Sequence, residues 1–282
     1  MKTKSGKSFE CIGMIHLLPL PGSPGFDEFE GLQAVIDRAE QELDIYVKAG
    51  MSGAIFENFG DAPFFPGRVP PETVASMTRV VTSCVNDVDP FSANESFSLG
   101  INVLRNDPVS ALAISKAVGA QFVRVNVHAG VAATDQGIIN GTAHETLRYR
   151  KAIGADNVHI HADVRVKHAT SLLQRSVVQE SLDLVTRAMV DGGLIFTGES
   201  TGIQPADDVL AQLLDVKKAL PKTKLFLGSG VSAENIAALT KLAGNSLDGC
   251  IVGTSIKEKC DVRNPVDAGR VRELLKVIGN AL

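Results

Sequence analysis

Only four cysteines occur in the 282 residues, Cys11, Cys84, Cys250 and Cys260, and no two of them form a CxxC pair. That spacing excludes a zinc ribbon and a disulfide framework and fits reduced thiols in a cytoplasmic protein. No charge of one sign dominates: 28 Lys and Arg against 32 Asp and Glu give a formal net charge of -4. Such a chain has no broad field to attract nucleic acid or an acidic membrane surface. Long apolar runs are missing as well. The segment from Cys11 to Leu20 is about half a membrane span and ends in prolines, so a buried strand explains it better than membrane insertion. The basic start MKTKSGKSFE is too short for a transit peptide, and residues 1–10 are expected to be a flexible N-terminal extension. HExxH, the Walker loop and the dinucleotide fingerprint are all absent, which leaves zincin, P-loop and Rossmann readings without support.

What is present is a globular composition, 44% hydrophobic and 21% charged with 26 glycines, in which short apolar runs alternate with longer segments of helical period. Eight runs are expected as strands: CIGMIHLL from Cys11, GAIFENF from Gly53, SLGINVL from Ser98, FVRVNV from Phe122, VHIHADVRV from Val158, GGLIFTG from Gly192, KLFLGSG from Lys224 and GCIVGTSI from Gly249. Amphipathic segments such as GLQAVIDRAEQELDIYVKAG separate them, and no linker divides the chain. Alternating strands and helices indicate either a (β/α)₈ TIM barrel or a doubly wound open sheet. Eight repeats, with chemistry gathered at the strand ends, favour the closed barrel as a single domain. Ser232 to Asn235 is expected to open the seventh helix and Asn264-Pro265 the eighth. The Pro/Gly-rich stretches 18–26 and 60–71 each follow a strand and read as loops on the catalytic face.

Along a barrel strand, alternate residues point inward and outward. In FVRVNVH, Arg124, Asn126 and His128 share one phase against Val123, Val125 and Val127. In VHIHADVRVKH, His159, His161, Asp163, Arg165 and Lys167 share one phase. Buried polar groups without partners cost about 1–3 kcal/mol each, so a ligand site or an internal hydrogen-bonded network must account for them. The network is the expectation for His159 and Arg124. Asp163 is the candidate general base, with His16, His128 or His161 as partner acid. Glu57 and Asn58 are adjacent and must diverge; Asn58 is the preferred inward residue, with Glu57 kept as a base if a bulge turns the strand end. Asn102, Asn126, Lys167, Thr197 and Thr201 complete the expected ligand pocket.

The two late turns, Gly228-Ser229-Gly230 and Gly253-Thr254-Ser255, carry the most specific signal. Small residues there let backbone N–H groups approach an anion, and in barrels a phosphate site commonly forms after strands seven and eight. Glycines that merely permit tight turns are the alternative. No cofactor is expected; a divalent metal on His161 and Asp163 remains an alternative on ligand type alone.

The motifs IGMIHLLPLPGSP, VRVNVHAG, DQGII, HADVRVKHA, FTGESTG, LGSGVSAENI, DGCIVGTSIK and NPVD, in that order over residues 12–275, resemble the BtpA/SgcQ family. The resemblance implies a barrel of the ribulose-phosphate-binding class. It also implies a link to photosystem I stability in cyanobacteria, or to sugar-metabolism gene clusters elsewhere. The leading expectation is therefore an enzyme of acid/base chemistry on a phosphorylated sugar or nucleoside-derived metabolite, by isomerisation, C–C cleavage or glycosidic cleavage. The alternatives are a non-catalytic assembly or stability factor and a metal-assisted hydrolase. Self-association through outer helices is a further expectation, although a barrel needs amphipathic helices in any case.

Overall fold

A computed structural model describes residues 8–172, 174–197 and 207–282. In chain order the strands are β1 (Glu10–His16), β2 (Gly53–Glu57), β3 (Ser98–Asn102), β4 (Phe122–Val125), β5 (Val131–Thr134), β6 (Gly137–Asn140), β7 (His159–Val164), β8 (Ala169–Ser171), β9 (Gly193–Phe196), β10 (Leu225–Leu227) and β11 (Gly249–Val252). The helices are α1 (Gly31–Ala49), α2 (Pro71–Val88), α3 (Pro90–Ala93), α4 (Pro108–Val118), α5 (Ala143–Ala152), α6 (Val177–Thr186), α7 (Asp207–Ala219), α8 (Ile236–Ala243) and α9 (Ala268–Ala281).

Eight strands close into a parallel barrel in the order β1-β11-β10-β9-β7-β4-β3-β2. The chain is thus a TIM barrel, and each of its eight strands falls on one of the eight apolar runs. Alternation along each strand divides the apolar residues into two populations. Ile12, Met14, Ile55, Phe122, Ile195, Phe226 and Ile251 fill the barrel interior, while the opposite phase, including Val123, Ile160, Leu194 and Leu225, packs beneath the helices. The interior layer is made by pairing large with small: a Cβ on Gly100 would lie 2.3 Å from the Phe122 ring. α1 supplies one face of the outer core through Val35, Ile36, Ala39, Leu43 and Tyr46, spaced for a single helical side.

Four details differ from the sequence reading. A small antiparallel sheet, β6-β5-β8, stands outside the barrel above the ends of β4 and β7. Phe9 is buried and Glu10 already belongs to β1, so the expected ten-residue extension is anchored at its end; residues 1–7 lie outside the described residues. Ser232 to Asn235 lead into α8 with Asn235 at its N-cap position, but the Asn235 side chain makes no capping bond, because it accepts from Ser232 N and donates to Gly230 O. The last helix is capped not by Asn264 but by Asp267, whose carboxylate accepts from Gly269 N and Arg270 N.

The two proline-rich loops brace each other at the C-terminal mouth: Leu20 N donates to Asp61 Oδ1 at 2.8 Å and Gly60 N to Leu17 O at 3.0 Å.

Candidate functional site

Register places His16, Glu57 and Asn102 side by side, since His16 pairs with Glu57 across β1–β2 and Glu57 with Asn102 across β2–β3. All three share the interior phase with Met14, Ile55 and Gly100 and form one polar layer above the apolar floor. Glu57, not Asn58, faces inward. Its Oε2 accepts from Asn102 Nδ2 at 2.5 Å, and its Oε1 stands 3.8 Å from His16 Nε2. Asn58 turns the other way and braces the loops: Oδ1 accepts from Leu104 N at 2.7 Å and Nδ2 donates to Asp61 at 3.1 Å. No bulge is needed; the strand's own alternation decides it.

His16 is packed against Phe59, with ring centroids 4.8 Å apart, and lies beneath Gly253, where an added Cβ would stand 2.8 Å from His16 Cε1. Burial first, and then the positive charges of Lys257, Lys167 and Arg124, hold its pKa well below the usual histidine range. At neutral pH it is therefore an uncharged imidazole, a polar wall rather than a proton donor from an imidazolium.

Asp163 occupies a different position from that of a free base. Its Oδ1 accepts from Arg124 Nε at 2.9 Å, and its Oδ2 accepts from Arg124 Nη2 at 3.0 Å and from Asn126 Nδ2 at 2.8 Å. Both oxygens are committed, and the partners are almost wholly buried. This is a structural hub, as the sequence reading held open for Arg124. Thr197 also spends its hydroxyl on the backbone, donating to Arg165 O at 3.0 Å. Thr201 lies outside the described residues.

Two of the histidines expected as acids stand elsewhere. His161 lies one layer lower, between Phe122 and Phe226 at centroid distances of 4.6 and 5.3 Å, and burial pushes its pKa down to about 3. His128 borders a second cavity, of about 580 Å³, which runs between α5, α6 and the outer sheet and is also lined by Arg148, Arg175 and Asp183. Its Nε2 is bound to Ala188 O at 3.0 Å. Asp163 lines this second cavity while Arg124 lines the mouth, so their ion pair stands between the two spaces. With His161 below and Asp163 engaged by Arg124, the metal-hydrolase ligand pair does not converge; among the described residues no cluster of three or more His, Cys, Asp or Glu is arranged to hold a metal ion.

The two late corners do converge. Residues 228–232 and 251–255 line one cavity of about 570 Å³ at the barrel mouth, together with His16, Glu57, Arg124 and Lys167. Ser255 Oγ donates to Val231 O at 2.6 Å and ties the corners together, so this hydroxyl holds the site rather than the ligand. Thr254 and Ser255 open a short 3-10 turn whose first bond is Ile256 N to Gly253 O, and their own N–H groups precede it. Gly230 takes a left-handed φ of +65° that only glycine adopts freely, turning the chain over the cavity. The volume suits a ligand of small-metabolite size.

Sequence reasoning missed two features. Arg105, just past β3, is buried and donates from Nη2 to Lys167 O at 2.7 Å; its place at a strand end was the available signal. Lys257 is fully buried behind the second corner and bound to both oxygens of Glu42 in α1, at 3.0 and 3.1 Å. Nothing in its local sequence sets it apart from a surface lysine.

Against known proteins, the model of the BtpA family matches residues 7–280. The chain is 42% identical to the photosystem I biogenesis protein BtpA of Synechocystis over 271 residues, covering 96% of this chain and 88% of that one. It is 40% identical to an uncharacterized protein of Pyrococcus furiosus, covering 94% and 93% of the two chains. Among solved structures, it resembles N-(5'-phosphoribosyl)anthranilate isomerase from Pyrococcus furiosus (TM-score 0.56, 14% identity, 97% and 99% coverage). It also resembles KGPDC from Streptococcus mutans (TM-score 0.55, 10% identity, 98% and 99% coverage). At such low identities these two establish the barrel alone. No helix among the described residues is long and apolar enough to cross a membrane.

Proposed function

The chain belongs to the BtpA family, and from that premise we propose that it is an enzyme acting on a phosphorylated sugar or nucleoside-derived metabolite at the mouth of the barrel. The observation that carries this reading is the shared cavity: two glycine-and-hydroxyl corners and a carboxylate, Glu57, border the same space. Backbone amides at Gly230, Thr254 and Ser255 would hold the phosphate, and Arg124 and Lys167 add positive charge nearby. Glu57 is the general base. Its Oε2 is fixed by Asn102, which leaves Oε1 as the proton acceptor toward the cavity. The phosphoribosyl substrate named for the solved isomerase is consistent with this substrate class.

A screen of phosphorylated sugars and nucleosides with the purified chain tests the proposal by following consumption of each compound. Turnover of one of them, reduced roughly 10²- to 10⁴-fold by Glu57→Gln, is the expected result. An unchanged rate in Glu57→Gln removes the base assignment. The name of the Synechocystis relative favours a second reading, an assembly or stability factor that retains a phosphate ligand. Saturable binding across the screen without any turnover would select it.

A further inference from the structure

Lys167 reaches the mouth cavity from the segment after β7 and shares it with Glu57, His16, Arg124 and both corners. Among the described residues its ammonium has neither a hydrogen-bond acceptor nor a carboxylate within ion-pair distance. The nearest acids are otherwise occupied: Asp163 by Arg124 and Asn126, and Glu57 Oε2 by Asn102. Cations stand near it as well. Arg124 lines the same cavity, and Arg105 is bonded to the carbonyl of Lys167 itself. A lysine used only as a structural counter-ion is given an anion, as Lys257 is by Glu42. A lysine held in a largely desolvated site beside other cations is the arrangement that yields an amine nucleophile.

We propose that Lys167 is a covalent nucleophile, forming a Schiff base with the carbonyl carbon of an aldose or ketose phosphate whose phosphate sits at the two corners. The inference rests on the phosphate-binding reading above and names its substrate class, a sugar phosphate with a free carbonyl. Burial, and then the charge of Arg124, lower the Lys167 pKa, while Glu57 and Asp163 act in the opposite sense; a larger share of the side chain is then neutral amine.

In the first step the Nζ lone pair forms the C–N bond, the carbonyl π pair moves to oxygen, and a proton passes from nitrogen to that oxygen. Glu57 Oε1 carries it. A second proton on the same oxygen lets it leave as water, and the nitrogen lone pair closes the C=N bond of the iminium. The net change is amine plus carbonyl plus one proton to iminium plus water, with no oxidant or reductant. The iminium then accepts the electron pair of an adjacent C–H or C–C bond, and addition of water reverses the first steps and frees the lysine.

The test is borohydride trapping. The full chain is incubated separately with ribose 5-phosphate and with dihydroxyacetone phosphate, reduced with sodium borohydride, and analysed by intact mass and peptide mapping. Hydride adds to the iminium carbon and leaves a stable secondary amine. The expected result is an adduct mapping to Lys167 at about ten times or more the level on exposed lysines such as Lys48, suppressed by excess inorganic phosphate. Lys167→Arg, checked for folding by circular dichroism, should lose this adduct and keep inorganic-phosphate binding within a few-fold by calorimetry. An adduct no greater at Lys167 than at Lys48 overturns the covalent role. If calorimetry then still detects phosphate, the lysine is only an electrostatic partner and the phosphate reading stands. If the wild-type chain binds no phosphate, that reading falls as well.

Discussion

Replacing Asp163 by asparagine separates two roles that the carboxylate was open to before its partners were known. As a base, it would be needed for turnover and expendable for stability; as the hub seen here, the reverse weighting applies. Its carboxylate accepts three hydrogen bonds, at 2.8, 2.9 and 3.0 Å, from Arg124 and Asn126. The Arg124 side chain is 3% exposed, so water cannot replace the lost charge. Removing one partner of a buried pair costs about 3–5 kcal/mol because the other charge is left uncompensated. In a chain of this length about 1 kcal/mol moves Tm by roughly 2 °C, so a fall of roughly 6–10 °C is expected. Urea denaturation followed by circular dichroism measures the free energy directly. Converting both residues to leucine should recover part of the loss, because an apolar pair leaves no orphaned charge. If Asp163→Asn stays within about 1 kcal/mol of the parent yet abolishes turnover of the substrate found by screening, the hub argument is wrong and Asp163 is the base after all.

The barrel was legible because the strands announce themselves as short apolar runs alternating with segments of helical period, and the two late corners were legible by their ordinal position. The orientation of Glu57 and Asn58 was not. Both faces of a parallel barrel strand are buried, as β2 is at all five positions, so hydrophobicity marks the strand without saying which phase is interior. Depth along the axis was equally hidden: His161 and Asp163 share a phase, but one lies between Phe122 and Phe226 and the other bonds Arg124 near the mouth. Asp163 and Arg124 are 39 residues apart, and only the neighbouring placement of β4 and β7 makes them a pair. The hairpin of β5 and β6 escaped notice for a related reason. Its apolar alternation is weak, with Ile139 buried and Ile138 exposed, and it is completed by β8 from beyond the next barrel strand.

His161 should make the protein acid-sensitive in a defined window. Its folded pKa is near 3 against an ordinary 6.5, so on acidification the unfolded chain takes up the proton first and stability falls as pH drops below about 6.5, ending near pH 3. Between pH 7 and pH 5 this one group accounts for about 2 kcal/mol, and His161→Phe should flatten the decline by that amount in urea titrations at the two pH values; an unchanged slope refutes it. The corner after β11 gives the last prediction. An added Cβ at Gly253 would stand 2.8 Å from His16 Cε1 and 3.4 Å from Met14 Cβ, and His16 is itself wedged against Phe59. At 2.8 Å either the His16 ring or the chain at Gly253 must move, so Gly253→Ala should cost about 1–3 kcal/mol of overpacking and shift the chain that bears the Thr254 and Ser255 amides. Gly67, with nothing within 4 Å of its Cβ position, is the matched control. Phosphate affinity measured by calorimetry should fall about tenfold or more in the first variant, because a corner displaced by a fraction of an ångström loses its charge-assisted hydrogen bonds. It should hold in the second. Equal affinities in the two variants would mean that the anion, wherever it binds, is not gripped at the end of β11.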